Sequence, residues 1–384
     1  MLIVALGLVL MGAAFIYSAT SGRLLTDSLA WYQERYVKQL FAAVLGAALA
    51  AAICLVDYRL IARWSLVLYW IAIGFLLLVF LFAPVAGVQR WIPLGFINFQ
   101  PSEFAKLALI CLLANFLSRP LNELRLPAVF VKALAMMLLP FGLILIEPDL
   151  GSAIVLLPVG FAMMFVSGIP WYYLLRVIGL GVSVVGLTVA DVLFAPESLQ
   201  FVQLEEYQKN RLRVYFGLSF APSDATSEER RTAERERSKF SYNIEQALIS
   251  VGSGGWAGKG WQQGTQNTLG YLPRGVAHND FIFSVIAEEK GFVGSIGVLA
   301  LYGLLIFSGW RVACNARDRL GKAMAVGVVT LWFSHVFINI GMNIRIMPVT
   351  GLPLPLLSDG GSSVLCFLLS IGLLENIYIH RRSY

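Results

Sequence analysis

Five short stretches of this chain carry residue types that can move a proton or steady a leaving anion. The first is His278-Asn279-Asp280-Phe281, followed by Glu288-Glu289-Lys290. Asp280 ends a long polar stretch and opens a short apolar one, Phe281–Ala287. A carboxylate placed beside apolar residues is suited to general-base work on a sugar hydroxyl. Asp is also a good helix N-cap, and the residues alone leave the two roles evenly matched. The second stretch runs through Gly87, Arg90 and Trp91 to Phe99-Gln100-Pro101-Ser102-Glu103-Phe104-Ala105-Lys106. Ser102 can cap the helix that follows Pro101, with Glu103 in its first turn, where the helix dipole favours negative charge. Glu103 and Lys106 form an i, i+3 pair: a structural ion pair, or two groups facing a polar cavity.

The third stretch is Glu147-Pro148-Asp149-Leu150-Gly151-Ser152, in which N-capping is the favoured role for Asp149. The fourth is the glycine run from Gly252 to Trp261. It is not a P-loop: Gly258-Lys259 is followed by Gly260, which has no hydroxyl for Mg²⁺, and the upstream glycine position holds Ser253. Lys259 can still approach a phosphate across glycine backbone, but the spacing favours a tight re-entrant turn anchored by Trp256 and Trp261. The fifth, Met347–Ser363, has three prolines and three glycines, and reads as a rigid segment at a membrane boundary.

The elements that must position these residues are membrane helices. Of the 384 residues, 58% are hydrophobic and 14% charged, against about 25% charged in soluble domains. A spanning helix needs roughly 20 mostly apolar residues. About ten segments qualify on that measure: Leu2–Ser18, Leu40–Val56, Ser65–Phe82, Phe104–Leu117, Val129–Ile146, Gly151–Val166, Tyr172–Leu193, Gly291–Trp310, Ala323–Ile340 and Ser363–Ile379. The fold class expected is an all-α polytopic bundle forming a single integral membrane domain, 1–384. A large extracytoplasmic loop at 195–280 joins spans 7 and 8, and Phe281–Ala287 forms a half-helix before the span at Gly291.

The set of short loops richer in basic residues holds Arg59, Arg63, Arg119, Arg125, Arg311, Arg317, Arg319, Lys322, Arg381 and Arg382. By the positive-inside rule both termini are then cytoplasmic and the five stretches face outward. The net charge of +6 is accounted for by these flanking residues and calls for no nucleic-acid partner. Cys54, Cys111, Cys314 and Cys366 lack metal-ligand spacing and read as structural. The charged segment Ser219–Lys239 reads as mobile.

Taken in order along the chain, these motifs resemble the SEDS family (shape, elongation, division, sporulation), and its elongation branch more than its division branch. The carriers are Arg90-Trp91, Gln100-Pro101-Ser102-Glu103 with Lys106, Pro148-Asp149-Leu150-Gly151-Ser152, the glycine run with Lys259, Asp280-Phe281-Ile282-Phe283, and Leu352-Pro353-Leu354-Pro355 with Gly360-Gly361-Ser362-Ser363. Asn339-Ile340-Gly341-Met342-Asn343 and Gly264-Thr265-Gln266 point to the elongation branch. The resemblance implies an inverting peptidoglycan glycosyltransferase that polymerises lipid II, with undecaprenyl pyrophosphate leaving. It implies Asp280 as general base, and Arg90, Glu103, Lys106, Lys259, Ser358 and Ser362 as substrate-binding residues. The leaving pyrophosphate calls for positive charge, from Arg90, Lys106, Lys259 or a bound divalent cation, Mg or Mn, for which Glu103 and Asp280 are the candidate ligands. The implied partners are a class B penicillin-binding protein and the bacterial elongation machinery. Asn279 and Asp359 depart from the family pattern, which has Thr and Tyr there, and the insert at Ser219–Lys239 is longer than usual. A lipid II flippase is the alternative. Against it stand the gathering of polar residues on one side and the absence of an internal repeat.

Overall fold

The computed structural model describes residues 1–20, 31–82, 89–93, 98–194, 213, 215, 241–272 and 277–381. The insert at 219–239 lies outside the described residues. Helices occupy all ten apolar segments: α1 Leu2–Thr20, α2 Arg35–Cys54, α3 Ser65–Val79, α4 Pro101–Leu117, α5 Pro127–Ile146, α6 Leu150–Ser167, α7 Trp171–Phe194, α8 Ile282–Asn315, α9 Arg319–Asn343 and α10 Gly361–His380. Eight are long and apolar enough to cross a membrane. The other two, α3 with 15 residues and α4 with 17, are shorter. α2 starts at Arg35, five residues before the first apolar residue expected, so Arg35 and Lys38 ride on the helix.

Local chemistry sets the helix ends. Pro101 and Pro127 stand at first helical positions, where a missing N–H costs nothing. Asp318 caps α9 by accepting from the Gly321 N–H, and Gly168, at φ 102°, ends α6 in the left-handed conformation. α9 is the axis of the bundle. Its most apolar stretch is 83% buried, and it packs on α8, α6 and α4. α7 is 6% buried on the same measure and touches little but α6. α10 lies along α2. Residues 92–93 and 98–99 pair as a short antiparallel ladder, Ile92 opposite Phe99, just before α4.

The expected half-helix is present. α8 runs as one element except at Gly291, whose φ 65° and ψ −159° break it after Lys290. A broken helix frees backbone groups that must find partners at membrane depth. The glycine turn supplies them. Lys259 and Gly260 donate N–H bonds to the carbonyls of Glu288 (3.0 Å) and Glu289 (3.1 Å), while Phe292 and Val293 donate to Gly255 (2.8 Å) and Trp256 (3.1 Å). The approach is so close that a Cβ on Gly258 would lie 2.1 Å from the Glu289 carbonyl oxygen. The glycines therefore serve to lock a re-entrant turn onto a helix break, the reading that spacing favoured.

Candidate active site

Hydrogen bonds join the starts of α2, α4, α6, α8 and α10 to one another and to the close of α9, so these ends gather in one place. The five stretches meet there. Asp280 ends the turn that leads into α8 and is partly exposed. The cap of α8 is Phe281, so Asp280 stands one residue before the capping position. The Asp280 backbone carbonyl accepts from the side-chain amides of Asn339 (3.2 Å) and Asn343 (3.1 Å). These are i, i+4 neighbours on α9 and share a face. Asn339 also donates to the carbonyl of Leu352 at 2.7 Å. One face of α9 thus grips both the Asp280 turn and the proline-rich strap that follows. Gly351 of that strap adjoins the Asp280 carboxylate: a Cβ there would lie 3.8 Å from Oδ2.

Glu103 and Lys106 are both buried, 1% exposed, with Nζ 2.7 Å from Oε1. Lys106 Nζ also lies 3.0 Å from Nε2 of His335 on α9. Asp149 does cap α6, accepting from Ser152 N–H at 3.2 Å. It is also a hub, taking a hydrogen bond from Gln100 (3.0 Å) and one from Ser102 (3.4 Å), with Arg90 Nη1 3.9 Å away. Ser102 is therefore not the cap of α4. That position falls to Gln100, because Pro101 begins the helix. Glu147 is fully buried, and neither carboxylate oxygen has a hydrogen-bond partner among the described residues. Burial, and then the nearby Asp149 charge, push its carboxyl up to about 8.

The remaining predicted residues hold the scaffold. Ser358 donates to the Asn279 carbonyl (2.6 Å) and accepts from Leu354 N–H (2.8 Å), tying the strap to the turn of Asp280. Ser362 donates to the Asn98 carbonyl (2.8 Å) and accepts from Gln100 N–H (3.1 Å), tying α10 to the start of α4. Asp359 pairs with Arg35 at 3.0 Å, and its N–H donates to the His278 carbonyl. Burial raises the Asp359 carboxyl even though Arg35 and Lys38 act to lower it. Lys259 joins neither Arg90 nor Lys106. Its ammonium donates to Ser253 (2.9 Å), Thr265 (2.6 Å) and Glu288 (2.6 Å). Three donors are all that a lysine has, so this one is committed within its own turn. Beside it the Ser18 hydroxyl donates to Glu289.

The donors do not fit a resident divalent ion. Glu103 is already neutralised by Lys106. Among the described residues no three His, Cys, Asp or Glu side chains gather as ligands.

His335, Asn339, Gln100 and Arg35 entered the site without having been singled out for chemistry in the sequence. His335 left a signal: it is one of three histidines in the chain and sits inside an apolar span, where ionisable residues are rare and functional.

Residues 1–383 match the FtsW/RodA/SpoVE cell cycle protein family. The chain is 35% identical over 383 residues to the peptidoglycan glycosyltransferase MrdB of Escherichia coli K12, covering 100% of this chain and 93% of that one. Among solved structures, it resembles a chain of a peptidoglycan synthase complex described as coordinating polymerization and crosslinking. That match has a TM-score of 0.74 and 28% identity, with 98% of each chain covered. It also resembles the rod shape determining protein RodA of Thermus thermophilus, with a TM-score of 0.65 and 26% identity over 99% of this chain and 96% of that one.

Proposed function

The chain belongs to the FtsW/RodA/SpoVE family and is a multi-pass membrane peptidoglycan glycosyltransferase; from that premise we propose that Asp280 is its general base. The observation that carries this is the way Asp280 is held. Two α9 amides fix its backbone, while Oδ2 of this partly exposed residue lies beside a residue with no side chain, Gly351.

The reaction elongates a glycan on a lipid carrier. Asp280 takes the proton from the 4-hydroxyl of the acceptor sugar of lipid II. That oxygen forms a bond to the anomeric carbon of the donor chain from the face opposite the leaving group. The bond from that carbon to the pyrophosphate oxygen breaks, and the electron pair leaves with undecaprenyl pyrophosphate, so the anomeric centre inverts. Positive charge near the departing oxygens stabilises the transition state. Lys106 and Arg90 supply it, held by Glu103 and Asp149 respectively. Lys259 serves the glycine turn, and Ser358 and Ser362 position the strap and the start of α4. A divalent cation would arrive with the pyrophosphate of the donor, since Glu103, one of its two expected ligands, is already paired with Lys106. The reading puts both termini in the cytoplasm and the site on the outer face of the bacterial inner membrane, supported by the basic residues of the short loops. The elongation machinery is the setting, and a class B penicillin-binding protein the crosslinking partner.

The test is polymerisation of lipid II by purified wild type and Asp280→Asn, with the partner's own activity blocked. Glycan ladders from wild type alone are expected. Ladders of normal length and rate from a folded Asp280→Asn protein would sink the assignment. No ladders from either, even with the partner present, would favour lipid II transport.

A further inference from the structure

We propose that His335 is a positioning residue of the transfer site, one that fixes the Lys106 ammonium and the proline strap beside Asp280 in a single hydrogen-bonded line. The proposal rests on the roles given above to Lys106 and Asp280. His335 is wholly buried in α9. Its Nε2 lies 3.0 Å from Lys106 Nζ. An ammonium can only donate, so Nε2 accepts and carries no hydrogen. A neutral imidazole then has its one proton on Nδ1. That atom lies 3.5 Å from the Pro353 carbonyl oxygen, which can only accept. The two neighbours therefore select one tautomer. The Phe367 ring stands edge-on to the imidazole, 5.0 Å between centroids, and holds its plane.

The strap end of this line leads to the base. One residue before Pro353, the Leu352 carbonyl takes the Asn339 amide, which also holds the Asp280 carbonyl. One residue further back, Gly351 adjoins the Asp280 carboxylate. The cation assigned to the leaving group and the backbone beside the base are thus joined through one imidazole. His335 touches no reacting atom and acts through Lys106 and the strap. Losing it should slow the chemical step and leave substrate binding nearly intact.

The experiment measures kcat and KM for lipid II polymerisation by the full chain in detergent, comparing His335→Gln with His335→Met. The two side chains have similar length and volume, but only Gln can both accept from Lys106 and donate to Pro353. The expected result is a fall in kcat of at least about tenfold for His335→Met, with KM within about twofold, and a rate near wild type for His335→Gln. Equal rates from the two folded variants overturn the proposal. If His335→Met does not fold, His335→Asn takes its place. Its shorter amide reaches the Nδ1 position but not Lys106, and wild-type turnover from it also overturns the proposal. Asp280→Asn is assayed alongside. Unimpaired turnover there overturns the underlying reading whatever His335 does. An inactive Asp280→Asn beside equal Gln and Met variants overturns the positioning role alone.

Discussion

Two lysine–glutamate pairs lie at the same end of this bundle, at nearly the same distance, and they do different work. Lys106 and Glu103 are 2.7 Å apart, three residues apart on one helix, both 1% exposed. Lys259 and Glu288 are 2.6 Å apart, 29 residues apart in sequence, with the lysine 26% exposed. Burial alone would single out the first pair as the structural one. Counting donors reverses that. Lys259 gives all three N–H groups to its own turn and to α8. Lys106 gives one to Glu103 and one to His335, and no third acceptor is seen among the described residues. A cation with a donor to spare can meet a developing charge; a saturated one can only hold its neighbours. The lesson is that donor accounting, more than exposure, separates a binding lysine from a scaffolding one.

Removing each pair as a unit is the strongest way to break this comparison. A single substitution leaves a buried carboxylate without its cation, which costs about 3–5 kcal/mol wherever it occurs. Lys106→Met and Lys259→Met should therefore both lower the melting temperature. The paired changes should part company. Lys259→Met with Glu288→Gln regains most of the lost stability and still polymerises lipid II. Lys106→Met with Glu103→Gln also regains stability but loses about 10²–10³ in kcat, the usual cost of one electrostatic donor to a transition state. Thermal melts and glycan ladders on the four proteins decide it. Equal activity in the two double variants would erase the distinction.

Two glycines sharpen the same contrast at smaller scale. At Gly258, φ is 82°, and an added methyl would meet the Glu289 carbonyl oxygen at 2.1 Å. At Gly151, the first contacts would be the Thr350 carbonyl oxygen at 2.7 Å and Leu352 Cγ at 2.9 Å, both on the strap beside Asp280. Gly258→Ala meets both left-handed strain, about 1–2 kcal/mol, and a backbone clash, so the loss is mainly of stability. Gly151→Ala meets no backbone strain and displaces the strap, at a cost of about 1–3 kcal/mol for overpacking. Its larger effect falls on kcat. The ratio of activity lost to stability lost, measured on the same preparations, should be higher for Gly151→Ala.

Much of this was legible before the fold was known, and the limits have physical causes. Helices in lipid must satisfy their own backbone, so runs of apolar residues located all ten. The Glu103–Lys106 pair is local, and i, i+3 spacing revealed it. Lys259 finds Ser253 and Thr265 six residues to either side, yet its charge partner is remote, so phosphate binding and a closed turn looked alike in sequence. His335 is 229 residues from Lys106. No local pattern encodes that contact, because it exists only where α9 crosses α4. The cap misassigned to Ser102 has a simpler cause: Pro101 starts the helix two residues earlier than a serine cap at 102 would.

Glu147 provides a third carboxylate against which to judge the pairs, since it is buried near Asp149 with no cation on it among the described residues. Its ordinary value is 4.5, and in the folded protein it stands at about 8. Between those values the folded protein holds a proton that the unfolded chain has released. Stability therefore falls as pH rises through that window, by up to about 1.4 kcal/mol per pH unit from this one group. Below 4.5 both states are protonated, and the full contribution is present. Above about 8 the proton is lost from the folded state too, and the slope flattens. Glu147→Gln mimics the neutral form and should remove this part of the slope, melting higher than wild type at pH 8 and alike at pH 4.5. A cation-paired carboxylate such as Glu103 should give no such gain on amidation, because the change strands Lys106 instead. Melting curves at several pH values that run parallel for wild type and Glu147→Gln would mean that Glu147 is ionised in the fold and has a cationic partner of its own.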